Sequence, residues 1–135
     1  GLLQLKHIDD ALIRRKQIEV RYREVLAEVP GITMLPIPPD THGNAAYFPI
    51  FVREDYPLSR DVLYQEMKNR GINGRRYFYP LISDMPMYRG LPSATANKVK
   101  VAKEVADSVI CLPIYPDLSE EDQMGVIASI QKVLV

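Results

Sequence analysis

Residues 73–81 read NGRRYFYPL, two fixed cations followed by three rings and a proline. Three readings compete for that order. An arginine fork donates parallel N–H groups to a phosphate or carboxylate, and a tyrosine adds a hydroxyl and a stacking face. On that basis Arg75, Arg76, Tyr77 and Tyr79 suit an anion pocket for a sugar phosphate or nucleotide. Rings beside basic side chains also serve RNA-recognition sheets, but the glycine and aromatic spacing of those sheets is missing here. The plainest reading is a strand with alternating sides, Tyr77 and Tyr79 on one face and Arg76, Phe78 and Pro80 on the other. The pattern leaves strand and pocket side by side. Residues 85–92, MPMYRGLP, continue with Tyr88 and Arg89, either as an open loop with anchored methionines, which is favoured, or as a rim to the same pocket.

Other chemistries lack their residues. Lys+Arg and Asp+Glu both total 17 in 135 residues, so the basic excess expected of a nucleic-acid binder is absent. One cysteine, Cys111, excludes an internal disulfide framework and reads as a small core residue in a reducing compartment. His7 and His42 sit among charges and in a Pro/Asp/Gly loop, where surface placement is expected, and no metal-ligand spacing occurs. There is no glycine-rich phosphate loop and no Gly-x-Ser-x-Gly elbow. The lysines all fall on polar helix faces, whereas a Schiff-base lysine needs a desolvated or cationic pocket. No apolar run reaches transmembrane length and the first residues do not read as a signal peptide. The expectation is a cytoplasmic chain that is not a complete catalyst by itself.

The elements that must position these residues follow from periodicity. Leu5, Ile8, Leu12, Ile18, Tyr22 and Val29 recur at helical steps, which predicts one long helix over residues 2–29, stopped by Pro30-Gly31, with Asp9-Asp10 the place for any break. Its length exceeds what so small a domain needs and implies packing on something outside this chain. Residues 32–35 and 45–52 read as strands, with Pro49 pointing to an edge or a bulge. Ser59 or Leu58 opens a helix to about Arg70, and Gly71 closes it. Residues 72–81 are expected to be extended. Residues 96–108 read as a helix with Val99, Ala102, Val105 and Ala106 on one face, and 109–112 as a buried strand. Ser119 caps a last helix whose inward residues are expected to be Met124, Ile127, Ile130 and Val133 or Leu134. The order predicts an α+β fold, a small, mainly antiparallel sheet with helices on one face.

With the elements in place, the chain resembles the C-terminal small domain of the DegT/DnrJ/EryC1/StrS family, pyridoxal-phosphate-dependent sugar-nucleotide aminotransferases of the aspartate aminotransferase fold. GLLQLKHIDDALIRRKQIEVRYREVL is similar to the family's long interdomain helix, LYQEMKNRGINGRRYFYPL to its helix, Gly-Ile turn and aromatic-proline segment, and AKEVADSVICLPIYPDLSEEDQMGVIASI to its closing strand and helix. The resemblance implies residues 1–30 as the interdomain helix and 31–135 as the small domain, with the large domain, its lysine and most phosphate ligands outside this chain. It implies no catalytic residue and no bound cofactor here, pyridoxal phosphate in the parent, a homodimer, glutamate as amino donor, and neither nucleic acid nor membrane as partner. Aligned on Pro80-Leu81, the family's His-Tyr pair falls at Arg76 and Tyr77, with Arg75 and Tyr79 as lesser contacts to the sugar nucleotide. The Arg-Arg-Tyr-Phe-Tyr-Pro version looks like the branch acting on dTDP-4-keto-6-deoxyhexoses. The alternative is a free-standing α+β binding module, with RNA as one ligand.

Overall fold

The computed structural model describes residues 1–95 and 97–134. In chain order the elements are α1 (Leu2–Leu5), α2 (Ile8–Leu26), β1 (Ile32–Met34), β2 (Phe48–Val52), α3 (Arg60–Asn69), α4 (Lys100–Ser108), β3 (Val109–Leu112) and α5 (Glu120–Gln131), with short 3-10 turns at Ile82–Asp84, Pro92–Ala94 and Lys132–Leu134. The strands form one antiparallel sheet in the order β1-β2-β3, with Ile32 opposite Val52 and Ile50 opposite Ile110.

Alternation sets the two faces of that sheet. Phe48, Ile50 and Val52 of β2 join Ile110 and Leu112 of β3 on one face. There they meet Ile18, Tyr22 and Leu26 of α2, Leu63 and Met67 of α3, and Val126, Ile127 and Ile130 of α5 in a single core. The other set, Phe51, Val109 and Cys111, is buried outside that core, with the Arg53 guanidinium 5.0 Å from the centre of the Phe51 ring. Buried hydroxyl and amide groups tie α2 to α5 and to the segment after β3. Tyr22 Oη donates to Pro113 O at 3.0 Å and Gln123 Nε2 to Ile18 O at 2.9 Å. Glu19 is buried too. Burial pushes its carboxyl up, and hydrogen bonds from Lys16 and Arg23, each 3.0 Å, outweigh this and hold it below the ordinary value.

Helix ends follow local signals. Ser59 Oγ accepts from Val62 N and Ser119 Oγ from Asp122 N, each capping a first turn. Gly71 takes φ +77° after α3, as a helix-stopping glycine does. Three expectations need correction. The first helix is broken at Lys6-His7, not at Asp9-Asp10, and ends at Leu26. Leu2, Leu3, Leu5 and Ile8 are exposed, so burial does little to keep these turns continuous. In α4, which runs from Lys100, Ala106 is buried while Val105 is 42% exposed; Ala96 of the expected helix lies outside the described residues. On α5 Met124 faces out, because Gln123, bonded to Ile18 O, takes the inward position.

Pro49 lies in the central strand and not at an edge. It is opposite Cys111, and both backbone groups of Cys111 are taken by Arg75 on the far side, Arg75 N to Cys111 O at 2.9 Å and Cys111 N to Arg75 O at 2.7 Å. A residue's two backbone groups point to the same side of a strand, so Pro49 pairs with Cys111 at a non-hydrogen-bonded site. Its missing donor faces the β1 side, beyond the last paired residue of β1, Met34. The absent N–H therefore costs no ladder bond.

Tyr56 Oη donates to Ile130 O at 2.6 Å, satisfying one of the carbonyls that the end of α5 leaves free. Burial pushes this phenol up to about 12 from an ordinary value of 10, against the Arg70 charge, which pulls it down. A folded-state value above the unfolded one means stability is fully present below pH 10 and is lost as pH rises toward 12. Tyr56→Phe is expected to lower stability at neutral pH by about 1 kcal/mol. It should also flatten the alkaline fall of the urea midpoint by roughly one proton's worth of slope. Urea unfolding across this pH range checks both; an unchanged slope contradicts the assignment.

Candidate functional site

The arginine-aromatic segment is not a strand. Arg75 alone bridges to β3, through Cys111, and the chain then turns. The reason is the second edge of β3. Arg75 extends the sheet by one residue, and the following side chains find partners on α3 instead of a ladder. A stacking surface of the RNA-recognition kind needs its rings on a strand, and that strand does not form here.

The turn sends neighbouring side chains to opposite sides. On one side lies a cleft of about 880 Å³ between the end of α3, the edge of β3 and the outer face of α5. Arg75, Tyr77 and Tyr47 line it, with Arg70, Tyr115 and Lys132 further round. Arg75 Nη1 donates to Tyr77 Oη, and its guanidinium lies 5.7 Å from the centre of the Tyr77 ring. Tyr47 meets Tyr77 edge-on at 5.2 Å. Arg75 is exposed, so its remaining N–H groups face solvent. Cys111 lines the cleft floor. Burial pushes its thiol up, against the pull of the Tyr77 backbone, so it stays a neutral wall and not a nucleophile. The α5 wall carries Glu121 and Asp122, and the Asp122 carboxylate is engaged by Ser119 Oγ at 2.7 Å.

On the other side Arg76 and Tyr79 pack on α3. Arg76 Nη1 reaches Asp61 Oδ1 at 2.8 Å, and its guanidinium lies 4.5 Å from the Tyr64 ring centre and 4.9 Å from that of Tyr79. Thus Arg75 and Tyr77 come together at the cleft, whereas Arg76 and Tyr77, the pair aligned by resemblance, diverge. Phe78 is 77% exposed between them. Tyr88 and Arg89 are exposed and do not line the cleft; Met87 is exposed as well, so that loop is not anchored by it. His7 and His42 are on the surface.

Sequence reasoning missed Tyr47, Arg60, Asp61 and Tyr64. For α3 a signal existed, since Asp61 and Tyr64 are three apart and share a helix face. Tyr47 was hidden in an apolar run read as strand. Among the described residues no group of three or more His, Cys, Asp or Glu side chains is placed to hold a metal ion, and no helix is long and apolar enough to cross a membrane.

The chemistry available is anion recognition. Arg75 offers a fork beside a hydroxyl, in a cleft with ring faces for a planar or sugar group. Every lysine is exposed, so none is enclosed in the pocket that a covalent amine site requires.

Comparison with known proteins gives the cleft its context. The model of the DegT/DnrJ/EryC1/StrS aminotransferase family matches residues 1–131. The dTDP-4-amino-4,6-dideoxy-D-glucose transaminase of Escherichia coli is 47% identical over 135 residues, covering 100% of this chain and 35% of that protein. The transaminase of the same name from Shigella dysenteriae is 39% identical over 133 residues, covering 98% of this chain and 36% of that protein. Among solved structures, DesI in the presence of its TDP-sugar product superposes with a TM-score of 0.85 at 25% identity, over 98% of this chain and 33% of that one. The chain spans about a third of the length of the relatives it matches.

Proposed function

Because the chain belongs to the DegT/DnrJ/EryC1/StrS aminotransferase family, we propose that it is the C-terminal small domain of a sugar-nucleotide aminotransferase whose substrate is a dTDP-linked 4-keto-6-deoxyhexose. The observation that carries this reading is the 47% identity, across the whole chain, to a dTDP-4-amino-4,6-dideoxy-D-glucose transaminase. The cleft supports it from the chemical side: Arg75 and Tyr77 suit a diphosphate and a ring.

In this reading Arg75 and Tyr77 touch the nucleotide sugar, while Arg76 and Tyr79 hold the segment that carries them. Pyridoxal phosphate, which supplies the carbanion chemistry of transamination when bound, does not fit the residues of this chain. Among the described residues every lysine is exposed and no glycine-rich phosphate cradle is formed. In this reading the anchoring lysine and the phosphate ligands belong to a large domain outside this chain, and residues 1–30 run toward it. The exposed Leu2, Leu3, Leu5, Ile13 and Val20 supply an apolar face for that contact. The full-length protein works as a cytoplasmic homodimer with glutamate as donor, and this chain alone does not transaminate.

The test is direct. The full-length protein, given pyridoxal phosphate, glutamate and dTDP-4-keto-6-deoxyglucose, is expected to form the aminated nucleotide sugar, read by mass spectrometry. After borohydride reduction the cofactor should map to a lysine outside residues 1–135. No aminated product, or a pyridoxyl group on a lysine of this chain, overturns the proposal.

A further inference from the structure

Asp61 stands between two guanidinium groups. Its Oδ1 lies 2.8 Å from Arg76 Nη1 and 3.1 Å from Arg60 Nε. Arg60 is a buried cation, its side chain only 3% exposed, and its Nε and Nη1 have no hydrogen-bond partner. Among the described residues Asp61 is the one carboxylate within ion-pair distance of it. A buried charge without a counter-charge is strongly unfavourable, so Asp61 is needed where it is. Both guanidiniums also lie on one ring, Arg60 at 4.6 Å and Arg76 at 4.9 Å from the centre of Tyr79.

This arrangement has a consequence for the cleft. Residues 76 and 79 are both held on α3, by the Asp61 carboxylate and by stacking between the two arginines. Tyr77 lies between these two anchors in the chain. Its ring projects to the opposite side, where the Arg75 fork and the Tyr47 edge receive it. We infer that Asp61, through Arg60, Arg76 and Tyr79, is the positioning residue of the cleft, fixing the turn that presents Arg75 and Tyr77 to a nucleoside diphosphate sugar. This rests on the reading of the cleft as the nucleotide-sugar contact. Asp61 touches no ligand; it acts by keeping the segment from swinging off α3.

Two variants of the full-length protein test it, Asp61→Asn, which removes the shared charge, and Tyr79→Leu, which removes the half-exposed ring both cations rest on and leaves the buried charge paired. Hydrogen exchange of the peptide spanning residues 74–80 is expected to become about tenfold faster in both, with β2 and α5 unchanged. The KM for the nucleotide sugar is expected to rise about three- to tenfold while the KM for the amino donor stays the same. Asp61→Glu, which restores the charge, should recover most of both. Unchanged exchange in both variants overturns the clamp. Faster exchange with an unchanged nucleotide-sugar KM overturns its positioning role. A wild-type protein that aminates no nucleotide sugar sinks the functional reading, while the exchange comparison still decides whether Asp61 holds the segment.

Discussion

Arg75→Ala in the full-length protein is expected to raise the KM for the nucleotide sugar by about 10- to 100-fold, the range that follows when a charge-assisted contact to a phosphate is lost. Arg75 has the geometry for such a contact. Its backbone N–H and C=O are both fixed by the pair of bonds to Cys111, 2.9 and 2.7 Å. Its side chain is oriented by the Tyr77 hydroxyl and lines the cleft. The N–H groups not used by Tyr77 remain for a ligand, and an anion arriving there meets a cation held in place. Tyr77→Phe should have the same direction and a smaller size, since the ring and the Tyr47 contact survive. Arg75→Lys should recover only part of the loss, because an ammonium cannot reproduce the two-pronged fork. Steady-state kinetics with the sugar and the amino donor varied in turn make the check: the donor KM should not move. An unchanged sugar KM in Arg75→Ala removes this residue from the binding site.

Gly31→Ala carries the largest expected stability effect. Gly31 sits at φ +76° in the turn ahead of β1, where a side chain is strained by about 1–2 kcal/mol. An added methyl would also overlap the backbone of Tyr56. That backbone has little freedom. Arg53 N bonds to Gly31 O at 2.8 Å, Tyr56 N bonds to Arg53 O at 3.1 Å, and Tyr56 Oη caps α5. Relieving the overlap must move the turn, and with it the tie to α5. Adding an overpacking cost gives a total of about 2–5 kcal/mol, a large share of a typical domain's margin. Gly43→Ala is the control, since an added methyl there meets nothing within 4 Å, and it should change stability by less than about 0.5 kcal/mol. Urea midpoints of the two variants make the comparison. Equal midpoints for Gly31→Ala and wild type would show that the turn is free to yield.

What was legible in the sequence was whatever local chemistry decides. Ser59 and Ser119 marked their helix starts and Gly71 a helix end, because a cap is made within a few residues. The antiparallel sheet and the inward Ile18, Tyr22 and Ile130 followed from periodicity. What was not legible depended on partners distant in sequence. Pro49 was expected at an edge; it sits in the central strand because β1 stops at Met34, one residue short of it. Residues 75–79 read most plainly as a strand, with a pocket wall beside it, and the choice fell to Asp61 and Tyr64, whose place beside the segment is set by how α3 packs. The same dependence separated Arg75 from Arg76: adjacent and chemically identical, they face a cleft and a helix. The length of the first helix was over-read, since Leu2, Leu3, Leu5 and Ile8 stay exposed.

The most direct measurement is a crystal structure of the full-length protein with a dTDP-sugar bound, read for the distance from the diphosphate to the Arg75 guanidinium. The account predicts direct hydrogen bonds of about 3 Å, with the Tyr77 ring against the ligand and Arg76 still on Asp61. A diphosphate bound away from residues 75–79, with the cleft empty, would contradict it.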